Sequence, residues 1–188
     1  VIMTMIACVT DPMPMMVKAE EISETEETSL KDLYEDAFYM GVAAPDYVIR
    51  TEPYKSLVRE QFNSMTMENE MKPDYIMDKA ASIARLDIYK EHVAVNFNAC
   101  KNGLDFAKEN GISVRGHVLV WHSQTPDWFF YENYDTNGQL AGRDLMLKRM
   151  ENYIKDVIAY TETNYPGVIY AWDVVNEAIA DPWGIGLE

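Results

Sequence analysis

Val168-Ile169-Tyr170-Ala171-Trp172-Asp173-Val174-Val175 is an almost wholly apolar run, set off by Pro166-Gly167 from a long amphipathic stretch over residues 143–163. A short, near-continuous run rich in β-branched and aromatic residues suits a strand covered on both faces. The pattern recurs upstream. Apolar runs at 38–43, 62–65 and 114–120 alternate with helical patterns at 56–61 and 98–109, the last stopped by Gly111. In 143–163 one stripe carries Met146, Met150, Ile154, Val157 and Ile158. Strands alternating with helices imply parallel pairing through right-handed crossovers, and four such units are present.

Two architectures share this ladder. A doubly wound sheet that binds a nucleotide needs a glycine-rich phosphate loop after its first strand, and nothing here resembles one. A barrel gathers its chemistry at the C-terminal strand ends. Three polar clusters follow expected strands in that way: Thr66-Met67-Glu68-Asn69-Glu70-Met71-Lys72, His117-Val118-Leu119-Val120-Trp121-His122-Ser123-Gln124, and Asn176-Glu177. The expected fold class is therefore α/β, of (β/α)8 TIM-barrel type. At 188 residues the chain holds only about the first four βα units, since a full barrel takes ~250 residues.

The acidic stretch from Glu20 to Glu27 reads as a solvated lead-in, and Ser29 offers an N-cap for a helix running to about Glu35. The expected division is thus a lead-in over 1–28 and the barrel segment over 29–188. Within the lead-in, Met5-Ile6-Ala7-Cys8 resembles the end of a bacterial lipoprotein signal, though no basic segment precedes it, and a docked N-terminal segment is an equal alternative. The expectation is a secreted or cell-surface protein, with a lipid anchor as one option.

Thirty-one acidic against 16 basic residues give a net charge of −15, which argues against nucleic acid as a partner. No apolar stretch reaches the ~18 residues of a membrane span. A neutral ligand fits better. The two cysteines make no disulfide framework, and Cys100 shares a helical stripe with Gly103, Leu104 and Ala107, as a small core residue would.

Residues two apart on a strand share a face, which groups Arg115, His117, Leu119 and Trp121, and separately Ala171, Asp173, Val175 and Glu177. Asp173 would then lie one layer below Glu177. Partial burial beside a second carboxylate raises a carboxyl group's pKa and suits it to proton donation. Asn176 is suited to hold a hydroxyl. Glu68, Asn69, Lys72, His117 and Gln124 add donors and acceptors around an aromatic floor at Trp121, a combination that polyhydroxylated sugars require.

Three long motifs then carry a resemblance. Asn63-Ser64-Met65-Thr66-Met67-Glu68-Asn69-Glu70-Met71-Lys72, Arg115-Gly116-His117-Val118-Leu119-Val120-Trp121-His122-Ser123-Gln124-Thr125-Pro126-Asp127-Trp128 and Trp172-Asp173-Val174-Val175-Asn176-Glu177-Ala178 resemble glycoside hydrolase family 10, the endo-β-1,4-xylanases. The likeness extends from about Leu30 to Ala180. It implies retaining hydrolysis of xylan, with Glu177 as acid/base and Asn176 contacting the sugar 2-hydroxyl. It also assigns Glu68, Asn69, Lys72, His117, Trp121 and Gln124 to glycone-side subsites, and it implies no metal or organic cofactor.

The sequence departs from the family after Glu177. The Thr-Glu-Leu-Asp-like motif that carries the nucleophile, the sixth-strand Gln-x-His and the eighth-strand Trp are all missing. The resemblance thus implies xylan or a xylo-oligosaccharide as ligand, and a complementary C-terminal half of the barrel or an inserted carbohydrate-binding module as partner. The alternatives are a non-catalytic xylan-binding or assembly fragment, and a parent enzyme acting on β-glucans. Glu70, Asp74, His92 and His122 read as solvated or structural groups, and Trp128 and Trp172 as packing.

Overall fold

The computed structural model describes residues 28–179. The lead-in, including the Met5-Ile6-Ala7-Cys8 segment, and the terminal 180–188 lie outside the described residues.

Eleven regular elements follow in chain order: α1 (Leu30–Leu33), β1 (Gly41–Ala44), α2 (Tyr54–Gln61), β2 (Ser64–Met67), α3 (Pro73–Ile76), α4 (Lys79–Ala84), α5 (Leu86–Tyr89), α6 (Asn98–Asn110), β3 (Ser113–Trp121), α7 (Arg143–Asn164) and β4 (Ile169–Asn176). The four strands form one parallel sheet in the order β1-β2-β3-β4. Sequential parallel strands joined by helices are the start of a (β/α)8 barrel, as the ladder in the sequence implied.

The elements form where local chemistry favours them. Ser29 caps α1 by accepting from the Asp32 N–H, and Pro73 opens α3 at a position where its missing N–H costs nothing. Asp78 caps α4 by accepting from the Ala81 N–H at 2.9 Å. Gly111 ends α6 at φ 65°, a left-handed conformation that glycine adopts without a Cβ penalty.

Two clusters form the core. One gathers Met65, Met67, Cys100, Leu104 and Val114 between the sheet and α6; the other gathers Ile76, Val93, Leu119, Phe129, Tyr153 and Val157 under α7. Trp172 packs against both. Cys100 is fully buried, as its stripe implied, and burial pushes its thiol up to about 12.

The structure departs from the sequence expectations at three places. β1 and β2 begin two or three residues later than the apolar runs at 38–43 and 62–65, because Phe38 and Tyr39 are exposed and pairing starts only at Gly41↔Ser64. The buried line of α7 is Arg149, Tyr153, Val157 and Thr161, rotated from the methionine stripe. Arg149 can sit fully buried because its guanidinium donates to the carbonyls of Lys90 (2.9 Å), Phe129 (2.8 Å) and Tyr131 (2.9 Å) and lies 4.1 Å from the Tyr134 ring. Alternation along β3 breaks at a bulge: His117 pairs with Asp173 and Val120 with Val175, so three residues of β3 face two of β4. Leu119 therefore turns into the core instead of sharing a face with His117.

Candidate active site

The C-terminal ends of β2, β3 and β4 bring the three polar clusters to one rim. Lys72, just past β2, is buried, which is rare for an ammonium group without compensation. It donates to Asn69 Oδ1 at 3.0 Å and Gln124 Oε1 at 2.5 Å, and its Nζ stands 5.0 Å from the centroid of the Trp121 ring. Gln124 Nε2 approaches the same Asn69 oxygen at 3.4 Å. The Asp74 N–H donates to the Gln124 carbonyl at 3.1 Å and so fixes the loop after β3 against α3. No carboxylate pairs with Lys72 among the described residues, so its charge is balanced by amide oxygens and an aromatic face alone.

Glu177 follows the last residue of β4. Trp121 Nε1 donates to its Oε2 at 2.7 Å, and His122 Nε2 lies 3.9 Å from the same oxygen. Its φ of 51° is in the left-handed region, which a glutamate seldom occupies and which tends to mark functional positions. Asn176 pairs with Trp121 across the sheet. Both Asn176 and Glu177 line a cavity of about 440 Å³ with Met77, Leu119, Trp121 and Met150.

The geometry joins Asn69, Lys72, Trp121 and Gln124 into one contact network and links it through Trp121 to Glu177. The His117 ring is 6.1 Å from that of Trp121, so the two meet despite the bulge. Glu68 is exposed at the same strand end and makes no hydrogen bond among the described residues.

The expected pairing of Asp173 with Glu177 is different in the structure. Glu177 is exposed, its side chain 57% accessible, and Asp173 is already occupied. Arg115 grips Asp173 through Nε at 2.9 Å and through Nη2, and His117 Nδ1 is 3.0 Å from its other oxygen. The Arg115 hydrogen bond, followed by that of His117, holds the Asp173 carboxyl below the usual carboxylate range against the opposing effect of burial.

Two residues set aside on sequence grounds belong to this rim. His122 stands beside Glu177, because at the end of β3 its parity no longer separates it from the site. Glu70 is half-buried, and its carboxylate accepts backbone N–H groups from two loops. His92, in contrast, contacts Asp156 of α7, and Trp128 packs edge-on against Tyr134 at 5.4 Å, both structural roles.

A parallel β/α sheet with acid, amide, ammonium and indole groups gathered at its C-terminal edge defines a segment of a barrel enzyme. The profile of glycosyl hydrolase family 10 matches residues 29–185. The chain belongs to that family. It is 46% identical over 151 residues to endo-1,4-beta-xylanase B of Butyrivibrio fibrisolvens, covering 80% of this chain and 24% of that protein. It is 40% identical over 153 residues to endo-1,4-beta-xylanase Y of Acetivibrio thermocellus, covering 81% of this chain and 14% of that one.

Among solved structures, the CBM22-1 and GH10 modules of endo-1,4-beta-D-xylanase 10B of Clostridium thermocellum, complexed with xylohexaose, superpose with a TM-score of 0.76 at 39% identity. That match covers 82% of this chain and 29% of the other. The intracellular xylanase of Thermoanaerobacterium saccharolyticum gives 0.69 at 30% identity, over 84% of this chain and 46% of that one. The chain thus spans a quarter or less of the two curated relatives and under half of the two solved chains.

Proposed function

We propose that this chain is the acid/base-bearing half of an endo-β-1,4-xylanase that hydrolyses xylan with retention. The observation that carries the reading is the position of Glu177: a carboxylate at the end of β4, hydrogen-bonded by the Trp121 indole and contiguous with the Lys72 network. The names of the relatives and the xylohexaose bound to the Clostridium thermocellum structure support xylan as substrate.

In the proposed mechanism Asn69, Lys72, Gln124 and Glu68 hold glycone hydroxyls, with Trp121 and His117 beneath the sugar. Asn176 holds the 2-hydroxyl at the cleavage point. Glu177 protonates the departing oxygen while a second carboxylate, ~5–5.5 Å away, attacks the anomeric carbon; Glu177 then takes a proton from the water that releases the sugar. That nucleophile is assigned to a complementary C-terminal half of the barrel. Asp173 does not replace it, since Arg115 and His117 occupy its carboxylate. Secretion or display at the cell surface fits a polymeric substrate too large to enter a cell.

A second reading, a non-catalytic xylan-binding unit, is favoured by the completeness of the Asn69–Lys72–Gln124 cluster within this chain. Reducing-sugar release from xylan, measured with the chain alone and with a C-terminal half barrel added, separates the two. Release only in the combination supports the split xylanase; binding without release in either arrangement supports the second reading. Release from mixed-linkage glucan in preference to xylan would move the parent enzyme to β-glucans.

A further inference from the structure

Glu70 stands in sequence between Asn69 and Lys72, two proposed sugar-binding residues, and its half-buried carboxylate pairs with no cation among the described residues. One oxygen accepts from the Asp46 N–H at 2.9 Å and the other from the Asn69 N–H at 3.0 Å. Ala44 and Met67 pair at the ends of β1 and β2, so the loops that follow run side by side and one carboxylate can span them. Asp46 is fixed in turn: its side chain accepts from Asn102 Nδ2 of α6 at 2.7 Å and pairs with Arg50. The loop after β1, the loop after β2 and α6 are thereby tied together next to the Asn69 N–H.

The Asn69 side chain depends on that backbone, and both Lys72 Nζ and Gln124 Nε2 approach its Oδ1. We propose that Glu70, backed by Asp46, is a positioning residue that sets the Asn69–Lys72–Gln124 geometry for sugar hydroxyls without touching the sugar. The inference rests on the xylan-binding reading of that cluster. The chemistry demands a carboxylate of this length. Two backbone donors need two acceptors; glutamine offers one oxygen and turns an NH2 toward the other donor, and aspartate is one methylene too short to span both loops.

The test compares the wild-type chain with Glu70→Gln, Glu70→Asp and Glu70→Ala. The side-chain amide signals of Asn69 and Gln124 are followed by ¹⁵N NMR without ligand, and xylotriose is then titrated calorimetrically. The expected result is displaced amide signals in all three variants. Affinity should fall about tenfold in Glu70→Ala and about threefold in Glu70→Gln, since each lost hydrogen bond contributes a factor of that size. A lower melting temperature with unmoved amide signals and unchanged affinity would reduce Glu70 to a fold-stabilising group and overturn the proposal. Failure of the wild type to bind xylotriose would instead remove the sugar-binding reading, while the amide signals would still decide whether Glu70 positions Asn69.

Discussion

Asp173 is where charge, burial and strand geometry meet in one side chain. Its folded pKa is depressed by Arg115 and His117, so the stability it contributes is present above the pKa of an unfolded aspartate, about 4, and is lost as pH falls through the lower folded value. Asp173→Asn should therefore lower stability on the order of 1 kcal/mol at pH 7, a modest figure because the Arg115 side chain is 54% exposed. The difference from wild type should shrink as pH falls below the unfolded value and through the depressed folded one, as denaturant titrations across pH would show. Glu177, Asn176 and Lys72 were legible in the sequence because strand ends and long motifs marked them. Glu70, His122 and Arg149 were not, because a lone charge in a sequence reads as solvated and only tertiary contacts reveal its backbone or aromatic partners.

At the scale of elements, Gly116 of β3 lets the Trp172 ring of β4 pack directly against the strand backbone. A Cβ on Gly116 would lie 2.4 Å from Cε3 of Trp172, a rigid indole that packs against both core clusters and has no flexible end to yield. Gly116→Ala should cost about 1–3 kcal/mol through forced displacement of that ring. Gly103→Ala meets Met67 Cε at 2.5 Å, a mobile side-chain tip, and should cost less. Thermal unfolding of the two variants, with the larger fall at Gly116, checks the distinction. The long helices followed from periodicity and β4 from its near-continuous apolar run, but among the described residues no side chain of β4 is buried, so the expectation of a strand covered on both faces is not met. The helices from Pro73 to Tyr89 did not, because none exceeds six residues and their capping residues, Asp78 above all, lie among polar neighbours that mask the pattern. The β3 bulge was equally hidden, since period-two reading has no means of counting an extra residue.

Among the described residues, β1 and β4 each pair on one side only, and Tyr170, Val174 and Val175 of β4 are exposed. Open parallel edges with apolar side chains seek another strand. The chain alone should self-associate with rising concentration in light-scattering measurements, and adding a C-terminal half barrel should replace those species with a one-to-one complex. A wholly monomeric chain indifferent to that addition would contradict the open-edge account. The role of Glu177 as acid/base is tested most directly in that complex with Glu177→Ala, using xylan, an aryl xylobioside with a good leaving group, and added azide. Loss of the acid should slow xylan hydrolysis by about 10²–10⁴-fold while sparing glycosylation by the activated substrate, and azide, which needs no general base, should intercept the glycosyl-enzyme to give a β-xylobiosyl azide. Equal loss on both substrates, with no azide product, would contradict the assignment.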